Sequence, residues 1–189
     1  KYNDPSAALG EPSRINPFGD AVTPFNPPYD ASQIVSTGKG GSLTVGFSSP
    51  IPNAAGNPFG FDFQVFGGSG LIITNGFDAD FNWVGEPATD GSVFGGNEGV
   101  TRVSVSEDGA HFYALDPLLA PNVESTFPTD GAGDFRQPID PSVRFSDFAG
   151  LTLDGIRGLY AGSGGGTAFD IGWARDSAGV PVVLDSIQY

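Results

Sequence analysis

Apolar residues recur at every second position in several short segments, and nowhere at helical spacing over a sustained run. In GGSLTVGF, Leu43, Val45 and Phe47 alternate with Ser42, Thr44 and Gly46, the pattern of a strand with one buried face. FGFDFQVFG places Phe59, Phe61, Phe63 and Val65 on one face and Asp62 and Gln64 on the other. GLIITNGF predicts a short buried strand ending in an Asn-Gly turn. In VSVSEDGAHFYAL, Val103 and Val105 alternate with Ser104 and Ser106, Glu107-Asp108-Gly109 supplies a turn, and Phe112 starts a return strand. This predicts a hairpin, because Asp-Gly accepts the positive φ of a tight connection. VPVVLDSIQY predicts a closing strand.

Between these segments lie long stretches rich in Gly, Pro, Asn and Asp. Residues 1–37, with INPFGD and PFNPPYD, read as an extended lead-in, since Pro and the residue before it resist helix. Residues 78–99 and 116–150 read as long loops, the first with room for one short strand. Short strands between Gly/Pro-rich loops, with little helix, predict an all-β fold: one antiparallel β-sandwich of jelly-roll type spanning residues 1–189, the lead-in packed on it.

Composition sharpens that picture. Gly (29) and Pro (16) make up nearly a quarter of the 189 residues, a share that approaches low-complexity sequence. The 16 Phe and 39% hydrophobic content nonetheless suffice for a packed core. The glycines therefore read as turns. The chain carries 22 Asp+Glu against 8 Lys+Arg, a net charge of −14. That excludes a nucleic-acid binder, which needs a basic surface to displace counterions, and disfavours anionic membrane surfaces. No apolar run approaches the roughly 20 residues of a membrane helix. Cys is absent and there is one His, too few soft or imidazole ligands for zinc or copper. With no Met and an opening KYNDPSAALG, the chain reads as a mature or excised segment whose targeting segment is gone, and its stop on the strand pattern VPVVLDSIQY leaves open whether the native protein continues past Tyr189.

In chain order, YNDPSAALGEP, GGSLTVGFSSPI, FDFQVF, VTRVSVSEDGAHFYAL, GGGTAFDIGWA and VVLDSIQY resemble a family of exported bacterial cell-surface proteins of unknown function, often from species using a PEP-CTERM type sorting tail. The resemblance covers most of the chain and implies secretion or surface display. The VSVSxDGxxF hairpin and the terminal strand ending in an aromatic resemble the discoidin and galactose-binding-like β-sandwiches, which implies that architecture and no particular activity. Where relatives carry an acidic VFENGF-like stretch, this chain reads VFGGSGLIITNGF and lacks the acidic residue.

Four chemistries can be weighed. Calcium takes six to eight oxygen ligands from loop carboxylates and carbonyls. Asp4, Asp62, Glu98 and Asp170 are the candidate ligands, with Asp78 and Asp80 nearby in type, against the alternative that they are solvated or turn-forming. DADFN is not an EF-hand loop. A sugar platform would use Trp83, Trp173 and Tyr160, against the alternative that both tryptophans are core. Nucleophilic catalysis would need His111, the sole histidine, yet no nucleophile elbow accompanies it. GSGGG at 162–166 lacks the Lys-Ser/Thr and helix of a phosphate loop.

These readings predict a non-catalytic extracellular module that binds polysaccharide or another surface polymer, stiffened by structural Ca²⁺. A structural or self-assembling surface domain is the alternative, and a polysaccharide hydrolase or lyase with paired carboxylates the third.

Overall fold

The computed structural model describes residues 2–82, 84–95, 100–123 and 126–189. Regular structure among them is mainly β: nine strands of two to six residues and one α-helix. The strands are β1 (Ile51–Pro52), β2 (Phe63–Val65), β3 (Gly70–Ile73), β4 (Thr89–Phe94), β5 (Ser104–Val105), β6 (Tyr113–Leu115), β7 (Thr167–Phe169), β8 (Ala174–Arg175) and β9 (Ser186–Ile187). They form four small antiparallel sheets, β1–β9, β2–β7, β3–β4 and β5–β6–β8. All-β with little helix therefore describes the fold. Backbone bonds outside the ladders extend these pieces: the Ser106 amide donates to the Tyr189 carbonyl (2.8 Å) and the Gln188 amide to the Ser106 carbonyl (2.8 Å), joining the end of β9 to β5.

Two apolar clusters lie beneath the sheets. The first gathers Val105, Leu115, Phe169, Ile171, Ala174, Leu184 and Ile187, with Phe47, Ile51, Phe63 and Val65 packed against it. Its members come from β5, β6, β7, β8 and β9, so burial joins strands that are far apart in sequence. The second gathers Leu71, Ile139, Phe148, Ile156 and Tyr160 beneath β3 and the helix α1 (Leu153–Tyr160). The lead-in is tied to this body: Val22 is fully buried, the Gly131 amide donates to the Val22 carbonyl, and the Leu71 amide to the Pro24 carbonyl.

The hairpin of VSVSEDGAHFYAL forms, with Ser104 opposite Ala114 and Val105 opposite Tyr113. Its connection is wider than the Asp-Gly signal predicts, and the return strand starts at Tyr113 rather than Phe112. The Asp108 carboxylate accepts from the Ala110 and His111 amides (both 2.8 Å), and the Ser106 hydroxyl accepts from the Gly109 amide (2.9 Å). These side chains supply the closure that a two-residue turn would supply by backbone alone.

Three expectations change. GGSLTVGF is not a ladder strand; Phe47 ties it to the chain end, its amide donating to the Gln188 carbonyl and its carbonyl accepting from Gln188 Nε2, and Leu43 is exposed. Asn75 does not turn a hairpin at Asn-Gly: its side chain donates to the Val84 and Glu86 carbonyls and accepts from the Ala88 amide, organising the loop that leads to β4. GLTLDGIRGLY holds the helix α1. Two interior glycines, each about 1 kcal/mol worse than Ala in a helix, hide it from periodicity. Packing sustains it, since Ile156 and Tyr160 one turn apart are both buried, and Ala161 (φ 50°) followed by Gly162 (φ 93°) ends it.

Candidate functional site

A cleft of about 290 Å³ opens beside β2, lined by Phe47, Ile51, Phe61, Asp62, Phe63, Gln64, Phe135, Arg136 and Pro138. That is close to the lower end of ligand-pocket sizes, roughly 300 Å³. Its wall is the FDFQVF segment. Asp62 fixes the approach to β2: Oδ1 accepts from the Ala54 amide (2.9 Å) and Asn57 Nδ2 (3.0 Å), and Oδ2 accepts from the Ile171 amide (2.9 Å). One carboxylate so clamps the preceding turn to the segment after β7. In that turn Phe59 adopts φ 56° and is turned out to solvent. A bulky residue with positive φ is strained, and the Asp62 clamp together with Gly60 at φ 75° holds it there.

The rings are seated individually. Phe61 meets Trp173 edge-on at 5.8 Å, and Phe63 stacks on Phe169 at 5.4 Å. Across the cleft Phe135 meets Phe66 edge-on at 5.1 Å, with the Arg14 guanidinium 4.3 Å above its ring. Gln64 Nε2 donates to the Phe135 carbonyl (3.0 Å), which ties the two walls together. Gln64 Oε1 is buried and has no hydrogen-bond partner among the described residues. Arg136 stands exposed at the rim; its amide donates to Asp134 Oδ1 (2.8 Å).

The residues expected to act do not assemble in this way. Tyr160 is not a surface ring: it is 1% exposed in the second cluster, and its hydroxyl donates to the Pro128 carbonyl (2.7 Å). Burial raises its pKa well above the ordinary value. The apolar face of a short helix explains why it sits inside. Trp173 is half-buried against the first cluster and supports the cleft through Phe61. Trp83 and Glu98 lie outside the described residues.

Asp4, Asp62 and Asp170 do not converge. Asp4 Oδ1 accepts from the Ser6 hydroxyl and amide and caps the 3-10 turn Pro5–Ala8; the hydroxyl bond, then the amide bond, hold its pKa below the usual carboxylate value. Asp170 Oδ1 caps the turn Ile171–Trp173 through the Gly172 amide (2.6 Å). Each carboxylate is thus turned onto a neighbouring amide, the commonest use of Asp in turns. Asp78 likewise accepts from the Asp80 and Asn82 amides. Among the described residues no three His, Asp or Glu side chains form a group able to hold a metal ion.

His111 has the partner that its sequence surroundings did not reveal: Nδ1 lies 2.7 Å from Asp108 Oδ2. The GSGGG run is a packing device. Gly165 (φ 88°) and Gly166 (φ 82°) bring backbone against the Pro128 carbonyl and the Phe66 ring, where a Cβ would collide.

Of the cleft residues, the alternation in FDFQVF pointed to Phe61 and Phe63, but as core, and to Asp62, but as a metal ligand. Phe135 and Arg136 carried no signal, being inside a stretch that reads as loop. No protein-family model matches the chain, and no curated protein or solved structure matches it.

Proposed function

We propose that the protein is an exported, surface-associated binding module that holds a carbohydrate in the Phe61–Phe135 cleft without chemically altering it. The observation that carries this is the makeup of the cleft: aromatic rings seated by neighbouring rings, with amide, carboxylate and guanidinium groups among them. Sugars present C–H faces that pack on aromatic rings and hydroxyls that need donors and acceptors, and this lining offers both. Asp62 is the one carboxylate in the lining among the described residues, and three hydrogen bonds already hold it, which suits recognition better than acid–base cleavage by a carboxylate pair. The sandwich reading of the fold belongs to the same proposal. In its favour, the first cluster draws residues from β5, β6, β7, β8 and β9, strands of three separate small sheets that share one core. Export and surface placement rest on the family resemblance, and the −14 charge is compatible with a solvated surface.

The test is calorimetric titration with a panel of neutral and acidic oligosaccharides, comparing the wild-type protein with Phe61→Ala. Removing the ring takes away stacking worth about 1 kcal/mol and its apolar burial, so binding should weaken by about tenfold. Affinity unchanged in Phe61→Ala, or no binding across the panel, would refute the assignment of the cleft.

A further inference from the structure

The cleft carries a feature that narrows its ligand further. In a chain with 22 acidic residues and 8 Lys+Arg, the arginines have no shortage of carboxylates to pair with. Arg14 pairs with Glu11, Arg157 with Asp130 and Arg175 with Asp116, while Arg144 donates to the Pro141 and Val143 carbonyls and Arg102, exposed and away from the cleft lining, has no ion pair with a described residue. The Arg136 guanidinium forms neither an ion pair nor a side-chain hydrogen bond with any described residue, and it lines the cleft.

Its base is held firmly. The amide is fixed by Asp134, the preceding Phe135 is buried, and Pro138 and Ile139 are buried just after it. A guanidinium on a rigid base, with its donors free, presents the planar fork that matches a carboxylate in bidentate fashion. Gln64, also in the lining, has a buried Oε1 without a donor among the described residues.

We propose that the cleft selects glycans bearing an isolated carboxylate, a uronic-acid residue set among neutral sugars, and that Arg136 reads that charge. This rests on the carbohydrate reading of the cleft. Isolation of the carboxylate follows from the net charge of −14: a densely anionic polymer meets repulsion over its whole length, whereas one carboxylate in contact with Arg136 is paired at short range. Charges more than about 8 Å away are largely screened at physiological salt.

The experiment is titration with matched oligosaccharide pairs, neutral and carrying one glucuronate or galacturonate, against the wild type, Arg136→Ala and Arg136→Lys. Wild type should prefer the acidic member by about tenfold, the scale of one charge-assisted hydrogen bond. Arg136→Ala should abolish the preference, weakening the acidic member by about tenfold more than the neutral one, and Arg136→Lys should restore part of it. The side chain holds nothing else in place, so melting temperatures should agree among the three proteins. Equal affinity for both members in the wild type, or a preference that survives Arg136→Ala, overturns the selection and leaves the carbohydrate reading standing. Failure of every pair to bind overturns both.

Discussion

Replacing Arg157 by Met tests how the second cluster is held together. Asp130 is 2% exposed, and its carboxylate accepts from Arg157 Nε (2.7 Å), Arg157 Nη2 (3.0 Å) and the Ala132 amide (3.1 Å). Methionine keeps the aliphatic stem and removes both charged donors, so the carboxylate is left buried with the Ala132 amide alone. Removing one member of a fully buried pair costs about 3–5 kcal/mol. Here the Arg157 side chain is 36% exposed, so water reaches the vacated side and the figure falls to about 2–3 kcal/mol. For a chain of this size that is a fall in melting temperature of about 4–12 °C. Urea denaturation at neutral pH measures it. The double variant Asp130→Asn/Arg157→Met separates mechanisms: with the charge gone as well as its partner, it should be more stable than Arg157→Met alone. A single-variant loss below about 0.5 kcal/mol, or a double variant less stable than Arg157→Met, would refute the claim that the pair matters through the buried carboxylate.

The hairpin loop should show its own pH signature. The Asp108 side chain raises the His111 pKa above 6.5, first by hydrogen bonding and then by its charge, so His111's stabilising contribution is complete below the ordinary histidine value and lost as pH rises through the higher folded value. Asp108 is depressed chiefly by the His111 side chain and then by the His111 and Ala110 amides, so its contribution is present above the ordinary aspartate value and lost as pH falls through the depressed one. NMR titration of the sole histidine should give a midpoint above 6.5 that falls in Asp108→Asn; an unchanged midpoint would discard the pair. Calcium is tested by melting in EDTA and in excess Ca²⁺. With Asp4, Asp62 and Asp170 each engaged by neighbouring amides, the two curves should coincide, and a higher melting temperature with Ca²⁺ would show that other oxygens, those of Glu98 included, hold the ion.

Short-range pattern was legible where one face is buried and the other is not. Val105 is buried and Ser104 exposed, and Phe63 and Val65 pack against the first cluster, as alternation predicts, whereas Ser106, on the polar face of the same pattern, is buried where it closes the hairpin loop. It failed where side chains, rather than backbone periodicity, decide local structure. Asn75 reads as a turn and works as a brace for three backbone groups, and α1 is hidden by Gly155 and Gly158.

The amino-acid sequence by itself determined the broad class: apolar alternation in short runs, little helix, and glycine at turns. These follow from local geometry and composition, which every residue carries with it. Which carboxylate clamps and which arginine lines the cleft were decided only by the tertiary structure. Asp62 finds the Ile171 amide across 109 residues of chain, and Gln64 finds Phe135 across 71. Such partners are chosen by packing of the two clusters, and no periodicity along the chain encodes the distance between residues that folding brings together.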